Sequence, residues 1–519
     1  PALAAMHTDP FERRHAPARA AARATVPSGG GPAADSSEPR ASRIRIVSTN
    51  DFHGALLPRP DSRGVTRGGA AYIATAIESA RAGCDTGCAF LLLDGGDMFQ
   101  GTPASNFAWG RPVVDLFNAL GYAAAALGNH EFDWGVDTLR ARMADARFSI
   151  LGANVRYADG RDVEWIPDDT LVERAGLRIG IIGIASVHTA GNTRAENVRG
   201  LRFDEPAPIV NARARALRAR GADAIIVVAH EGAFCGQGGS SCGGEIIDLA
   251  RELTEKVDAI VSGHTHSHVE TVVNGIPIVQ ARSSGTAIGV IDLPRGKAPS
   301  VDVVDVLPDS LAPSPGVDSL VQRAHAAVAA VVDARVAAIA QPMPRRGSQY
   351  ALGNLIADAQ RAAGDADVAV MNNGGIRTGL RAGVATYGAL YEIQPFANML
   401  RRLSVRGSDL RAYFERELGG SEPDVHVSGV TITYEPSRSS GERIESISIP
   451  RGTALDSAKV YTVVLNDFMV GRGAGLALAR GALANEVLDV QDIDALVAYL
   501  RAAPQPVRAP TGSRIVARR

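Results

Sequence analysis

The chain has 519 residues, 45% hydrophobic and 21% charged, more than one core usually organises and enough to bury two. A formal net charge of -2 leaves no broad basic surface for a nucleic-acid polymer or an anionic membrane, so any phosphate it binds must be met locally. No apolar run reaches the roughly 18 residues of a membrane span, because the Ala/Val-rich stretch 326–340 is broken by Asp333 and Arg335.

Residues 1–42 are rich in Ala, Arg, Pro, Gly and Ser without a clear apolar segment, and are expected to form a disordered leader outside the fold. From 43 to 308, short apolar runs alternate with helical spacing, the pattern of an α/β domain. Strands are expected over 44–48, 90–93, 123–127, 179–184, 224–229 and 259–262, and helices over 70–82, 112–120, 209–218 and 245–253. A Pro/Ser-rich break at 309–316 leads into an Ala/Val stretch that reads as one helix over 317–339, so 309–340 is expected to be a linker and connector helix. A second α/β region, 341–519, opens with a helix over 352–363 and continues through strands over 368–371, 430–434 and 461–465. The cysteines fall in two local pairs, Cys84/Cys88 and Cys235/Cys242, with a spacing that fits no zinc ribbon. Pairing within each loop implies an oxidising location, periplasmic or secreted; the alternative is four free thiols in a cytosolic enzyme.

Five polar clusters each follow an apolar strand: Asp51 and His53, Asp97, Asn129 and His130, His230, and His264 with His266. Loops at strand ends carry reactive side chains, so five such clusters can converge on one rim. They hold five of the chain's 11 histidines. Each fragment alone reads as an ordinary capped turn; their ordered combination does not. Imidazoles, carboxylates and one Asn carbonyl without thiolate suit a pair of first-row divalent ions, with Zn, Mn and Co all compatible. Two cations held close need a shared anion, and Asp97 in a central cluster can supply it; such a centre acidifies a water for attack on phosphorus. His130 can protonate a leaving oxygen or stabilise phosphoryl charge, with Asp133 three residues on to orient it.

The ordered motifs DFHG, GDMFQG, GNHEFD, AHEG and GHTH, followed by GNLIADA, NNGGIR, a PF segment and NDF, resemble the 5'-nucleotidase family of calcineurin-like metallophosphatases. The resemblance implies a metallophosphatase β-sandwich flanked by helices over 43–308 and a C-terminal α/β substrate-binding domain over 341–519. It implies one metal on Asp51, His53, Asp97 and His266, a second on Asp97, Asn129, His230 and His264, and a His130–Asp133 catalytic pair. In the C-terminal domain it implies nucleotide contacts from Asn372, Gly375 and Arg377, base stacking on Phe468, and further contacts at Gly429 and Arg346. The family pattern is broken in three places. Ala474 stands where a ribose-binding Asp is usual, Leu400 where a second stacking aromatic is usual, and Arg346 with Gln349 replaces R-x-x-E. The implied activity is hydrolysis of nucleoside 5'-monophosphates. Alternatives are phosphodiester hydrolysis of 2',3'-cyclic nucleotides or nucleotide sugars, or a surface nucleotide-binding protein that has lost turnover.

Overall fold

Strand Ala224–Ala229, AIIVVA, is buried at every position, as expected of a parallel strand covered on both faces. It sits inside a six-stranded sheet ordered His268–Val273, Ile276–Ala281, Ala259–Val261, Ala224–Ala229, Leu177–Ile184, Asp169–Arg174. A second six-stranded sheet is ordered Ser300–Asp305, Ala287–Pro294, Arg43–Thr49, Cys88–Asp94, Ala124–Ala126, Ser149–Leu151. In the first, the four inner strands run parallel; in the second, Arg43–Thr49, Cys88–Asp94, Ala124–Ala126 and Ser149–Leu151 run parallel and Ala287–Pro294 is antiparallel to its neighbours. This computed structural model describes residues 40–61, 64–236, 241–420, 422–449 and 452–518.

The two sheets face each other through a shared core, with Ile46, Leu91, Leu93 and Ala126 of one against Ile181, Ile226, Val228 and Val261 of the other. Helices Ala70–Ala82 and Arg111–Leu120 cover one outer face, and Pro206–Ala219 and Glu245–Glu252 the other. This is a helix-flanked β-sandwich. Within 43–308 the elements expected from apolar spacing occur within three residues of their anticipated ends.

Two boundaries differ from expectation. The expected leader ends earlier than residue 42: Ala41 is buried and donates its N–H to Ala175 O at 3.0 Å, and Arg40 pairs with Asp223. The rest of that leader, 1–39, lies outside the described residues. The single helix expected over 317–339 is not formed. Helix Pro315–Ala326 packs into the sandwich core through Val317 and Val321, Ala329–Val332 forms one further turn, and Arg335–Ile339 is a strand paired antiparallel with Gly383–Thr386. Ala and Val satisfy either element, and the choice is made by a partner strand some 50 residues away in sequence.

The C-terminal half carries a five-stranded sheet ordered Val425–Ser428, Val368–Asn372, Val460–Asn466, Met399–Arg406, Ala484–Gln491, and a four-stranded sheet ordered Thr453–Ala454, Ile444–Ile449, Thr431–Tyr434, Ile515–Ala517. Helix Ala351–Ala363 packs beside Val368–Asn372 and against helix Asp492–Ala502. Cys84 pairs with Cys88 and Cys235 with Cys242, at Cα separations of 5.2 and 4.0 Å. Among the described residues no helix is long and apolar enough to cross a membrane.

Candidate metal centre and substrate cleft

The parallel strands of both sheets end at one rim, and the five polar clusters leave from those ends. Five of the residues involved hold a left-handed backbone: Asp51 (φ 49°), His53 (51°), Asp97 (58°), His264 (76°) and His266 (55°). Such conformations cost non-glycine residues on the order of 1–3 kcal/mol each and concentrate where function demands a particular side-chain direction.

The donor atoms form two groups, Asp51 with His53 and His266, and Asp97 with His230 and His264. His53 Nε2 and His266 Nε2 lie 2.9 Å apart, and His266 Nε2 is 3.3 Å from Asp51 Oδ1. In the second group His230 Nε2 is 3.0 Å from Asp97 Oδ2 and 3.3 Å from His264 Nδ1. Asp97 Oδ2 also lies 3.9 Å from His53 Nε2, so this carboxylate stands between the groups. Outer hydrogen bonds orient the rings: His53 Nδ1 faces Gln100 O at 2.9 Å and His230 Nδ1 faces Gly95 O at 2.8 Å. A proton on each Nδ1 leaves the Nε2 lone pair for a cation. Asn129 Oδ1 is buried without a hydrogen-bond partner among the described residues. Clustered lone pairs, a central carboxylate and an orphaned carbonyl oxygen fit two divalent ions. Burial opposes ionisation of Asp97, yet His230 and His130 hold its carboxyl well below the usual range. Burial and His230 push His264 down to about 4.

His130 Nδ1 is 2.6 Å from Asp133 Oδ2, and its Nε2 is 4.0 Å from Asp97 Oδ2. Asp133 is itself fixed: Thr193 Oγ1 donates to Oδ1 at 2.8 Å and Asn197 Nδ2 donates to its backbone O at 2.8 Å. Burial lowers the His130 pKa, but Asp133 and Asp97 outweigh it and the net shift is upward. Gly128 precedes this segment because a Cβ there would stand 2.1 Å from Asp97 Oδ1.

Across the rim, the C-terminal half closes a cleft of about 950 Å³ whose walls include Asn372, Gly375, Arg377, Phe396 and Phe468. Arg377 Nη2 reaches to 3.4 Å from His53 Nε2, and its guanidinium lies 5.6 Å over the Phe396 ring. Phe396 in turn stacks on His130, centroids 5.4 Å apart and planes within 24°. Contacts between the halves hold this arrangement: Gln100 Nε2 donates to Pro395 O at 3.0 Å, Asn106 Nδ2 to the same oxygen at 3.0 Å, and Arg194 Nη2 to Ala397 O at 3.2 Å.

The calcineurin-like phosphoesterase family matches residues 44–268, and the 5'-nucleotidase C-terminal domain family matches 328–480. The chain belongs to the 5'-nucleotidase family of calcineurin-like phosphoesterases. Members of this family are hydrolases. The Bacillus subtilis (strain 168) protein named Endonuclease YhcR is 30% identical over 91% of this chain, which spans only 41% of that protein's length. Snake venom 5'-nucleotidase of Naja atra is 26% identical, covering 88% of this chain and 96% of its own. The crystal structure of a 5'-nucleotidase precursor from Thermus thermophilus superposes with a TM-score of 0.80 at 25% identity, covering 92% of this chain and 99% of that one.

Within this 5'-nucleotidase fold, three sequence expectations need correction. Gly429 does not line the cleft; it stands at a bend between Val425–Ser428 and Thr431–Tyr434 with φ 80°, where a Cβ would lie 1.9 Å from Asp367 O, so the position needs glycine for backbone packing. Arg346 is exposed and does not line the cleft; its neighbour Arg345 does. Leu400 is fully buried in a core with Ala369, Val464 and Ala495, and the aromatic beside Phe468 on the cleft wall is Phe396. Three further residues went unnoticed in the sequence. Glu131 is 1% exposed and accepts N–H bonds from Asp97 (2.8 Å), Met98 (2.7 Å) and Gly128 (2.7 Å), tying two strand-end loops together. Burial and Asp97 push its pKa up to about 7. Trp109 and Trp134 form an edge-to-face pair 5.8 Å apart on the N-terminal wall of the cleft. The sequence cue to Glu131 is its place in GNHEFD, where by itself it reads as a solvated carboxylate at a capped turn.

Proposed function

We propose that this chain hydrolyses nucleoside 5'-monophosphates to nucleoside and phosphate. The observation that carries the reading is the meeting of two half-sites: Arg377 of the C-terminal half stands 3.4 Å from His53 of the cation-ligand cluster, with Phe468 on the same cleft. Asp51, His53, Asp97 and His266 would hold one divalent ion, and Asp97, Asn129, His230 and His264 the other. Bound there, the ions supply Lewis-acid polarisation of phosphate and an acidified water. Arg377 offers a planar fork of donors to phosphoryl oxygens. His130, its ring fixed by Asp133, delivers a proton to the leaving oxygen or stabilises charge on the phosphoryl group. Phe468 and Phe396 offer apolar faces for a base, and the Gly374–Gly375 backbone permits close approach.

A second reading, phosphodiester or nucleotide-sugar hydrolysis, is favoured by the Trp109–Trp134 pair. The 950 Å³ cleft is also near the upper end of the roughly 300–1,000 Å³ range of small-molecule sites. Mono-, di- and cyclic nucleotides, UDP-glucose and a chromogenic ester, each assayed with Zn, Mn and Co, separate the readings. The first expects the highest kcat/KM on a 5'-monophosphate; turnover confined to cyclic nucleotides or UDP-glucose would reject it. The two disulfides support a periplasmic or secreted location. Free thiols at all four positions in peptide maps of natively produced protein would reject that.

A further inference from the structure

The GNL motif and the buried His426 have no part in the chemistry above, yet they meet behind the substrate loop. His426 is 0% exposed, on strand Val425–Ser428, and its ring packs edge-to-face on Tyr350 with centroids 4.4 Å apart. Its other flank is the helix Ala351–Ala363 at Gly353, where a Cβ would lie 2.2 Å from His426 Cδ2. The glycine of GNL is therefore the socket for this imidazole.

What the imidazole holds is Asn373, within the Asn372–Gly375 loop. Asn373 Nδ2 donates to Ser348 O at 3.1 Å, which fixes the amide so that Oδ1 faces His426 Nε2 at 3.0 Å. An acceptor at that position requires the proton on Nε2. His426 Nδ1, the remaining lone pair, has no partner among the described residues. Burial, with Arg514 and Arg345 nearby, pushes the His426 pKa down to about 4, which keeps the ring neutral. The loop is also held from its other side, where Asn466 Nδ2 donates to Asn372 Oδ1 at 3.1 Å. Asn466 in turn caps the short helix that carries Phe468, accepting from Met469 N at 2.9 Å. A connected path thus runs from the GNL glycine through His426 and Asn373, across the peptide bond to Asn372, and through Asn466 to the helix that carries Phe468.

We propose that His426 is a positioning residue for substrate binding: its Nε2–H fixes Asn373, and through it the placement of Gly374, Gly375 and Arg377 against the phosphate. This rests on the nucleotide-binding reading of that loop. Removing the donor leaves the loop's backbone chemistry intact and its orientation undefined, so the loss belongs in KM.

The test measures kcat and KM for AMP, together with metal content and Tm, in wild type, His426→Leu, His426→Gln, Asn373→Ala and the His426→Leu/Asn373→Ala double variant. His426→Leu should raise KM for AMP roughly tenfold or more while kcat stays within about threefold. Metal content should be retained, and His426→Gln, which keeps a donor, should recover most of the loss. The double variant should have a KM no worse than Asn373→Ala alone, because that substitution already deletes the His426 bond together with the one to Ser348. A KM for His426→Leu within about twofold of wild type overturns the proposal. So does an equal fall of Tm and kcat without rescue by Gln, which would mark His426 as packing alone. Should His426→Leu not fold, Asn373→Ala and His426→Gln carry the same comparison. A wild type that hydrolyses p-nitrophenyl phosphate but neither cleaves nor binds AMP rejects the substrate reading itself, a result distinct from an unchanged KM.

Discussion

Glu131→Gln is the most informative single change in the N-terminal half. The wild-type carboxylate accepts two amides on Oε2, from Asp97 and Gly128, and one on Oε1, from Met98. Glutamine can present its carbonyl to the first two, but its NH2 then confronts the Met98 N–H, donor against donor. One hydrogen bond to a charged group is lost, at about 1.5–3 kcal/mol, and one buried amide is stranded, at about 1–3 kcal/mol. Relief of a buried charge beside Asp97 offsets part of this, leaving on the order of 2–4 kcal/mol. For a domain of this size that corresponds to a Tm lowered by roughly 4–12 °C. Because the Glu131 pKa stands at about 7, the comparison belongs near pH 8.5, where the carboxyl is charged. Circular dichroism melts should show the shift, and elemental analysis should show reduced metal loading, since Asp97 and Gly128 are positioned by the lost bonds. A Tm within about one degree of wild type, with full metal content, would refute this reasoning.

Asp97→Ala is expected to abolish metal loading and hydrolysis together, whereas His130→Ala should retain metal and lose roughly two or more orders of magnitude in turnover. Metal analysis of both variants decides it, and loss of metal in His130→Ala would reject the division of roles. With Ala474 lacking a carboxylate, AMP and dAMP should differ by less than about tenfold in kcat/KM. Strong preference for AMP would instead point to Asp424 or Glu417, which line the same cleft. Burial pushes Asp492 from 3.8 up to about 7, despite bonds donated by Asn398 Nδ2 and Ile493 N. Its folded state therefore keeps a proton that the unfolded chain releases, and stability falls as pH rises through that window. Asp492→Asn should remove this pH dependence, so its Tm relative to wild type should be more favourable at pH 8 than at pH 4; parallel melting profiles across pH would contradict the assignment.

The convergence of the candidate metal-ligand clusters on one rim was legible because fully buried parallel strands are written as uninterrupted apolar runs, and the first polar residues after each run stand at the strand end. Ala224–Ala229 followed by His230 is the plainest case. What stayed hidden depended on partners far away in sequence. Leu400 and Phe396 are four residues apart, and strand phase, set by pairing of Leu400 with Asn466, decides that Leu400 turns inward. Arg345 and Arg346 are neighbours in an irregular segment, and no periodicity says which of the two faces the cleft. Glu131 could be read as a solvated acid until the three amides it accepts were seen. The Ala/Val stretch after Ala326 lacked a strand partner in any local window, so its spacing read as helix.

Arg377 reaches the His53 imidazole from the C-terminal half, whereas both candidate cation-ligand groups among the described residues come from the N-terminal half. On the proposed reading, the faces that would meet the leaving group and the loops that would hold the ions lie on separate stretches of chain. Substitutions at Phe396 or around Phe468 should then alter which leaving group is accepted while the candidate ion-binding loops, with their costly left-handed residues, stay untouched.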